Sequence, residues 1–267
     1  MSRGRHAAPD PGDDYAAIEY PDAEPWLPGT PSVDFVVETR PVAPAPVTAA
    51  TQSPAARALT PGPVIADTVS YARNGRSILA EVSVHVAPGE SLAVVGPSGS
   101  GKSSLLALLA GLEPPDTGSV RRSCARPGLI LQGYGLVSML TAAENVEVPL
   151  QAGARGRLAA PAVRATAAGV LDSVGLSPVA DHLIEELSGG QQQRVAVARA
   201  LAVDPDVVFA DEVTAELDHE WKEHVVDLLL DVPRRGGIVV IATHDPQIAA
   251  RCSTIVRLVD GRASSDT

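Results

Sequence analysis

Residues 96–103 have the composition of a phosphate-binding loop. They read GPSGSGKS and fit the pattern G-x-x-x-x-G-K-S in full. Glycines allow backbone N–H groups to turn inward around phosphate oxygens, and a helix that follows directs the positive end of its dipole at the same anion. The pattern predicts that Lys102 neutralises the β- and γ-phosphates of a nucleotide and that Ser103 binds a bridging Mg²⁺. The alternative, a glycine-rich turn with a chance lysine, does not explain the elements on either side.

Those elements have the order that a phosphate-binding loop requires. Residues 91–95 are mostly apolar and predict a buried strand, whereas residues 102–110 predict a helix. Upstream, residues 64–73 and 78–86 alternate with a period of two, and Asn74-Gly75 between them is a hairpin turn signal. We therefore expect a hairpin, then a strand, the loop and a helix.

Two further segments carry polar groups that suit the same chemistry. Residues 207–212 (VVFADE) are an apolar run that ends in two carboxylates. Because buried parallel strands present their carboxyl ends to the nucleotide crevice, Asp211 can reach the Mg²⁺ and Glu212 the γ-phosphate. Residues 187–194 (LSGGQQQR) predict a second anion-binding turn, followed by a helix over residues 195–202. A second such turn far from the single phosphate loop suggests a site shared between two protomers.

Composition restricts the remaining possibilities. The chain has 267 residues, of which 45% are apolar and 3% aromatic, so its core must be aliphatic. A net charge of −11 argues against a nucleic-acid partner, and two cysteines are too few for a disulfide framework. No window approaches about 18 uninterrupted apolar residues, and the N-terminus lacks the plan of a signal peptide. We expect a cytoplasmic protein that serves a membrane, if at all, from outside the bilayer.

The first 60 residues differ from the rest of the chain. They hold ten of the 23 prolines and show neither a helical nor a strand period. Such a segment cannot bury enough apolar surface to offset its ordering entropy. We predict a disordered, acidic extension over residues 1–60 and one folded domain over residues 61–267.

The motifs together resemble the nucleotide-binding subunit of an ATP-binding cassette (ABC) transporter. The resemblance covers about residues 64–262 and is carried by GPSGSGKS, LSGGQQQR, VVFADE and the ATHD of residues 242–245, in the family's order. It implies an α/β fold: a P-loop NTPase core with a mostly parallel sheet, an antiparallel β subdomain, and a helical subdomain over about residues 136–186. The segment QGYGLVSMLTAAENVEVPL, from Gln132, is most similar to ATPases of the lipoprotein-releasing and macrolide-export type, which include the cell-division ATPase.

The resemblance also implies roles for individual residues. Catalytic roles fall on Lys102, Gln132, Glu212 and His244, with Glu212 polarising the attacking water and His244 contacting the γ-phosphate. Mg²⁺ would be held by Ser103, Gln132 and Asp211, the last through water. Tyr71 would stack on the adenine of ATP. The phosphates would be bound by the loop residues Gly96, Pro97, Ser98, Gly99, Ser100, Gly101, Lys102, Ser103 and Ser104. The opposite subunit would contact the same ATP through Ser188, Gly189, Gly190 and Gln191.

The implied function is that of an ATPase that dimerises around ATP and drives a separately encoded membrane permease, of an export or lipoprotein-extraction kind. The second protomer would be another copy or a paralogous ATPase, and the permease would hold the protein at the inner face of the membrane. The alternative is a non-transport ATPase that regulates a membrane or cell-envelope partner, as in the cell-division branch. A scaffold without turnover is disfavoured because Lys102, Asp211, Glu212 and His244 are all present.

Three departures from the family pattern qualify these expectations. Only residues 119–131 separate Gly118 from Gln132, which predicts a trimmed antiparallel subdomain. The family's P-T-S-A-L-D is VTAELD at residues 213–218, and Glu216 adds negative charge where two protomers should meet. A last strand and turn over residues 255–262 leave no room for a C-terminal regulatory domain.

Overall fold

The structure is a computed structural model that describes residues 61–152 and 159–264. The extension predicted for residues 1–60 lies outside the described residues. The described strands are β1 (Val64–Arg73), β2 (Arg76–Val86), β3 (Ser91–Val95), β4 (Thr117–Arg121), β5 (Pro127–Ile130), β6 (Val207–Asp211), β7 (Ile238–Ala242), β8 (Thr254–Val259) and β9 (Arg262–Ser264). The described helices are α1 (Lys102–Ala110), α2 (Ala142–Ala152), α3 (Ala160–Ser173), α4 (Gly189–Ala202), α5 (His219–Arg234) and α6 (Pro246–Ala249).

A six-stranded sheet forms the centre of the molecule, with the strand order β5-β6-β7-β3-β8-β9. Its strands are parallel except for β9, which pairs antiparallel with β8. All five residues of β6 and of β7 are buried, because a parallel sheet is covered on both faces and its strands are continuous apolar runs. The predicted α/β fold with a mostly parallel sheet is confirmed.

Alternate residues of β6 belong to two different cores. Val208 and Ala210 pack among the side chains of helices α2 to α5. Val207 and Phe209 pack on the opposite face, with α1 and the strands of the first hairpin. This alternation fixes which way each side chain of β6 points, up to the carboxylates at its end.

A second sheet has three antiparallel strands in the order β2-β1-β4. The predicted hairpin turn at Asn74-Gly75 joins β1 to β2, and both residues have positive φ angles, of 52° and 75°. The short segment before Gln132 forms β4 in this sheet and then β5 in the central sheet, with only residues 122–126 between them. Arg126 in this link donates hydrogen bonds to Asp204 and Asp206, the residues just before β6, at 3.1 and 3.0 Å.

Helices α2, α3 and α4 pack against one another as a helical layer. Helix α3 lies within residues 136–186, the range predicted for the helical subdomain. Helix α4 begins at Gly189, within the LSGGQQQR motif, and therefore starts six residues before the predicted helix. The side chain of Asn145 in α2 is buried and bonds the backbone of Val137 and Thr141, so it holds the chain after Gln132 against this layer.

Candidate nucleotide-binding site

The phosphate loop joins β3 to α1, and its backbone requires glycine at two positions. Gly96 has a φ of 154°, and a Cβ atom there would lie 2.2 Å from the carbonyl oxygen of Leu258. Gly101 has a φ of 103° and occupies the N-cap of α1, where no side chain caps the described helix. The N–H groups of the first turn of α1 therefore remain available to an anion.

Lys102 crosses the loop from the first position of α1. Its side chain is 8% exposed, and Nζ donates to the carbonyl oxygens of Gly96 and Pro97 at 2.9 and 3.1 Å. An ammonium has three hydrogens, so this geometry leaves a donor for a phosphate oxygen. The buried cation and the free N–H groups of α1 suit a polyphosphate.

Asp211 ends β6 and is 5% exposed. Its Oδ1 atom is buried with no hydrogen-bond partner among the described residues. Burial raises the pKa of Asp211 and the neighbouring Glu212 adds to the rise, whereas a hydrogen bond from Ser103 and the charge of Lys102 lower it. A cation would relieve this buried carboxylate, and a carboxylate with a hydroxyl beside it is an oxygen donor set that Mg²⁺ accepts. The residues present therefore fit Mg²⁺.

Glu212 and His244 form a pair at the ends of adjacent strands. The N–H of Glu212 donates to the carbonyl of Ala242 at 2.9 Å, which fixes Glu212 beside β7. The Nδ1 atom of His244 lies 2.9 Å from Oε2 of Glu212. Because a carboxylate only accepts hydrogen bonds, Nδ1 carries the hydrogen. The glutamate is 17% exposed and the histidine 72%, so the pair faces solvent through the histidine.

A cavity of about 800 Å³ brings these groups together. It is lined by the predicted residues Gly96, Pro97, Ser98, Gly99, Gly101, Lys102, Ser103, Ser104, Gln132, Glu212 and His244. Asp211 and Ser100 do not line the cavity: Asp211 is buried and interacts with Ser103, which does line it, and Ser100 is 4% exposed. The phosphate loop, Glu212 and His244 therefore share one cavity.

Tyr71 is not among the described residues that line the cavity. Its hydroxyl donates to Glu113, and its ring packs against the core of the hairpin and α1. Arg73 and Ile78, on either side of the hairpin turn, line the cavity instead. The hairpin therefore reaches the nucleotide site through residues that the sequence reasoning did not name.

The LSGGQ residues are separate from the cavity. Ser188 is the N-cap of α4, and its Oγ accepts the N–H of Gln191 at 3.3 Å while its own N–H donates to Oε1 of Gln191 at 2.8 Å. This capping box uses both side chains and leaves the backbone of Gly189 and Gly190 at the start of the helix. None of the four lines the cavity in the described part of the chain.

Gln193 is a site residue that sequence reasoning missed. It is 2% exposed, its Nε2 donates to the carbonyl of Glu212 at 2.9 Å, and its Oε1 accepts the N–H of Glu216 at 2.9 Å. The carboxamide thereby clamps both ends of residues 212–216. The sequence could have indicated that Gln193 is buried, because it lies three and seven residues before Ala196 and Ala200 and therefore on the same inner face of α4.

Arg199 holds the loop that contains Gln132. Its guanidinium donates to the carbonyl oxygens of Tyr134, at 2.7 Å, and Gly135. Burial lowers the pKa of Arg199, so the two carbonyl oxygens offset part of the desolvation of its charge. The loop after β5 is thus fastened to α4.

Glu216 lies between the cavity and the LSGGQ turn. It lines the cavity, and a Cβ atom on Gly189 would be 3.3 Å from its Oε2. Burial raises the pKa of Tyr134, and the charge of Glu216 adds to that rise. The negative charge noted in the sequence is therefore close to the N-terminus of α4 and to the loop of Gln132.

These groups define a P-loop nucleotide site that is equipped for phosphoryl transfer to water. The sequence matches the ABC transporter family over residues 79–215, and the chain belongs to that family. It is 42% identical to the uncharacterized ABC transporter ATP-binding protein YbbA of Escherichia coli, over 71% of this chain and 90% of that protein. It is 45% identical to the lipoprotein-releasing system ATP-binding protein LolD of Anaeromyxobacter dehalogenans, over 71% of this chain and 85% of that one.

A solved structure gives the same result for the fold. The ATP-binding cassette MJ0796, described as a dimeric post-hydrolysis state bound to ADP and Pi, matches with a TM-score of 0.71 and 34% identity, over 75% of this chain and 96% of that one. The protein is an ATP-hydrolysing subunit of a transporter that powers a membrane permease. In the described residues, no helix is both long and apolar enough to cross a membrane.

Proposed function

We propose that two copies of this chain close around Mg-ATP and that hydrolysis drives a permease of the export or lipoprotein-extraction kind. The proposal rests on one observation: the predicted ATP contacts lie in two separate places. One cavity holds Lys102, Glu212 and His244, whereas Ser188 and the glycines after it lie outside that cavity at a separate helix N-terminus. A second protomer can supply that helix N-terminus to the γ-phosphate.

Within one protomer the chain's own groups bind and orient the reactants. The N–H groups at the start of α1 and the ammonium of Lys102 bind the β- and γ-phosphates. Ser103, Gln132 and Asp211 would hold Mg²⁺, which supplies charge neutralisation when bound. Arg73 and Ile78 lie where the rest of the nucleotide would pass, and Tyr71 stays a predicted adenine contact.

The attacking water is oriented by Glu212. Its carboxylate lines the cavity, its backbone is bonded to Ala242 and Gln193, and its side chain is bonded to His244. These contacts leave Oε1 of the carboxylate to accept a hydrogen bond from water. The Nε2 atom of the histidine can donate a hydrogen bond to the γ-phosphate in the imidazolium form, in which both ring nitrogens carry hydrogens. Catalysis by positioning and charge stabilisation requires no further group.

The partner at the membrane is a short amphipathic segment of the permease. Four large apolar side chains around the loop of Gln132 and on α2 are exposed: Leu131, Val137, Met139 and Val148. Met139 is 81% exposed, and methionine adapts to irregular partners. Since Arg199 fastens this loop to α4, a segment docked here acts on the loop and the helical layer together. Such docking would place the protein at the inner face of the membrane.

The proposal is tested by measuring the turnover of the Glu212→Gln variant and its molecular mass in solution with and without Mg-ATP. The amide keeps the shape of the carboxylate but accepts water's proton poorly, so hydrolysis should fall by about 10²-fold or more. With Mg-ATP, light scattering after size exclusion should show a shift from 27.5 kDa to twice that mass. Glu185→Gln, on an exposed turn outside the cavity, is the matched control and should keep native turnover.

Two results would overturn the proposal in different ways. Native turnover in Glu212→Gln would remove Glu212 from the role of orienting water. A monomeric mass with Mg-ATP, in a variant that has lost turnover, would refute pairing between two copies of this chain.

A further inference from the structure

Lys222 and Asp245 form an ion pair beside the cavity. Lys222 belongs to the first turn of α5, and Asp245 directly follows His244. The Nζ atom of Lys222 lies 2.8 Å from Oδ2 of Asp245, and the two side chains are 26% and 17% exposed. Neither residue lines the cavity. The pair therefore holds the residue that follows His244 from outside the cavity.

Asp245 is held firmly on its other sides. Its Oδ1 accepts the N–H of Gln247 at 2.9 Å, and its own N–H donates to Oγ1 of Thr243 at 3.0 Å. Thr243 is 1% exposed, and its N–H donates to the carbonyl of Val94 in β3. One carboxylate oxygen is thus used by α6 and the other by Lys222. The hydrogen bond from Lys222 lowers the pKa of Asp245, so this carboxylate is charged at neutral pH.

Lys222 closes a ring that includes Glu212. Five residues lead from Glu212 to Asp218, which caps α5 by accepting the N–H of Trp221 at 2.9 Å. Lys222 of α5 is paired with Asp245, the residue after His244. The Nδ1 atom of His244 contacts Glu212 at 2.9 Å and completes the ring. The glutamate and the histidine are therefore tied to each other twice, once directly and once through α5.

We propose that Lys222 is a positioning residue for ATP hydrolysis, because it holds His244 in register with Glu212. The histidine ring is 72% exposed and has little packing of its own to fix it. A restraint on the next residue limits the positions that the ring can take. Lysine suits the task because only one oxygen of Asp245 is free, and an ammonium binds a single oxygen as a point charge. The inference rests on the roles proposed for Glu212 and His244.

The experiment compares steady-state ATPase kinetics of full-length variants. Lys222→Met keeps the aliphatic stem and removes the charge; we expect kcat to fall by about 3- to 10-fold and KM for ATP to change by less than about 2-fold. Lys222→Arg should retain at least about half of the native kcat, since it restores the charge. Arg251→Met is the control, because it removes the ion pairs of Arg251 with Glu223 and Asp227 of α5, which involve neither His244 nor Asp245.

A double-mutant cycle tests whether Lys222 acts through Asp245. Asp245→Asn keeps an oxygen for α6 and removes the charge, so it should lower kcat as Lys222→Met does, and the double variant should lose no more than either single one. Additive losses, an unchanged kcat in Lys222→Met, or an equal loss in Arg251→Met would each overturn the proposal.

A final measurement separates this inference from the proposed dimer. Lys222→Met combined with Glu212→Gln should still double its mass with Mg-ATP. If Glu212→Gln dimerises and the combined variant does not, Lys222 acts on assembly and not on positioning.

Discussion

Replacing Gln193 by leucine should uncouple the segment after Glu212 from α4. Leucine fills a similar volume but leaves the carbonyl of Glu212 and the N–H of Glu216 without their partner. Each group left without a partner costs about 1–3 kcal/mol when it is buried, so the loss of both partners should lower the free energy of unfolding by about 2–6 kcal/mol. For a folded domain of this size that corresponds to a fall in Tm of roughly 4–24 °C.

The effect on catalysis should exceed the effect on folding. With its clamp removed, the backbone of Glu212 can shift, and displacements of about 1 Å at a reacting group cost up to about 10²-fold in rate. We expect kcat to fall by at least about 10-fold while KM for ATP stays within about 2-fold, because the phosphate loop is untouched. Turnover and thermal unfolding would be measured on the same preparations.

The neighbouring glutamine supplies a matched control. Gln192 lies in the same helix and also donates two hydrogen bonds to backbone, to Ile184 and Leu187 at 3.0 and 2.9 Å, but none to residues 212–216. Gln192→Leu should therefore lower Tm with little change in kcat. Native kcat in Gln193→Leu, or an equal loss of kcat in both variants, would refute the idea that the clamp positions Glu212.

Two further predictions concern charge. The substitution Glu216→Gln, introduced into the Glu212→Gln variant, should increase the affinity of the Mg-ATP dimer by about 2- to 5-fold at low salt. The reason is that a carboxylate beside the N-terminus of α4 repels a phosphate that binds there. An unchanged affinity at low salt would contradict this. Burial raises the pKa of Cys252 to about 11, so its thiol should react with iodoacetamide at pH 8 roughly 100-fold more slowly than a thiol of pKa 9.0. The rate should rise with pH towards that value, and peptide-like labelling at pH 8 would contradict the burial.

Local patterns in the sequence predict the elements around the phosphate loop to the residue. Strand β3 and helix α1 have the predicted bounds, because an apolar run, glycines with positive φ and a helical segment act within a few neighbours. The position of Asp211 follows for the same reason, since it ends a buried parallel strand. Residue types and order thus suffice for the part of the site that one strand and one loop build.

Contacts between distant elements could not be predicted in this way. The partner of Tyr71 is Glu113, 42 residues away, and the pairing depends on how α1 ends over the hairpin. The bond from Lys222 to Asp245 depends on the packing of α5 beside β7, which no local pattern specifies. The spacing of Gln193 from Ala196 and Ala200 places it on the inner face of α4, but no local pattern specifies that its partners are Glu212 and Glu216.

The short link between β4 and β5 makes the two sheets a single mechanical unit. Five residues can span at most roughly 17 Å, and Arg126 within them is bonded to Asp204 and Asp206. The N–H of Ala125 also donates to Asp206, at 3.1 Å. This short, bonded link therefore restricts movement of the β1–β2 hairpin, which borders the nucleotide site, relative to the central sheet. We therefore expect any movement driven by ATP hydrolysis to occur where the helical layer joins the central sheet, and not between the two sheets.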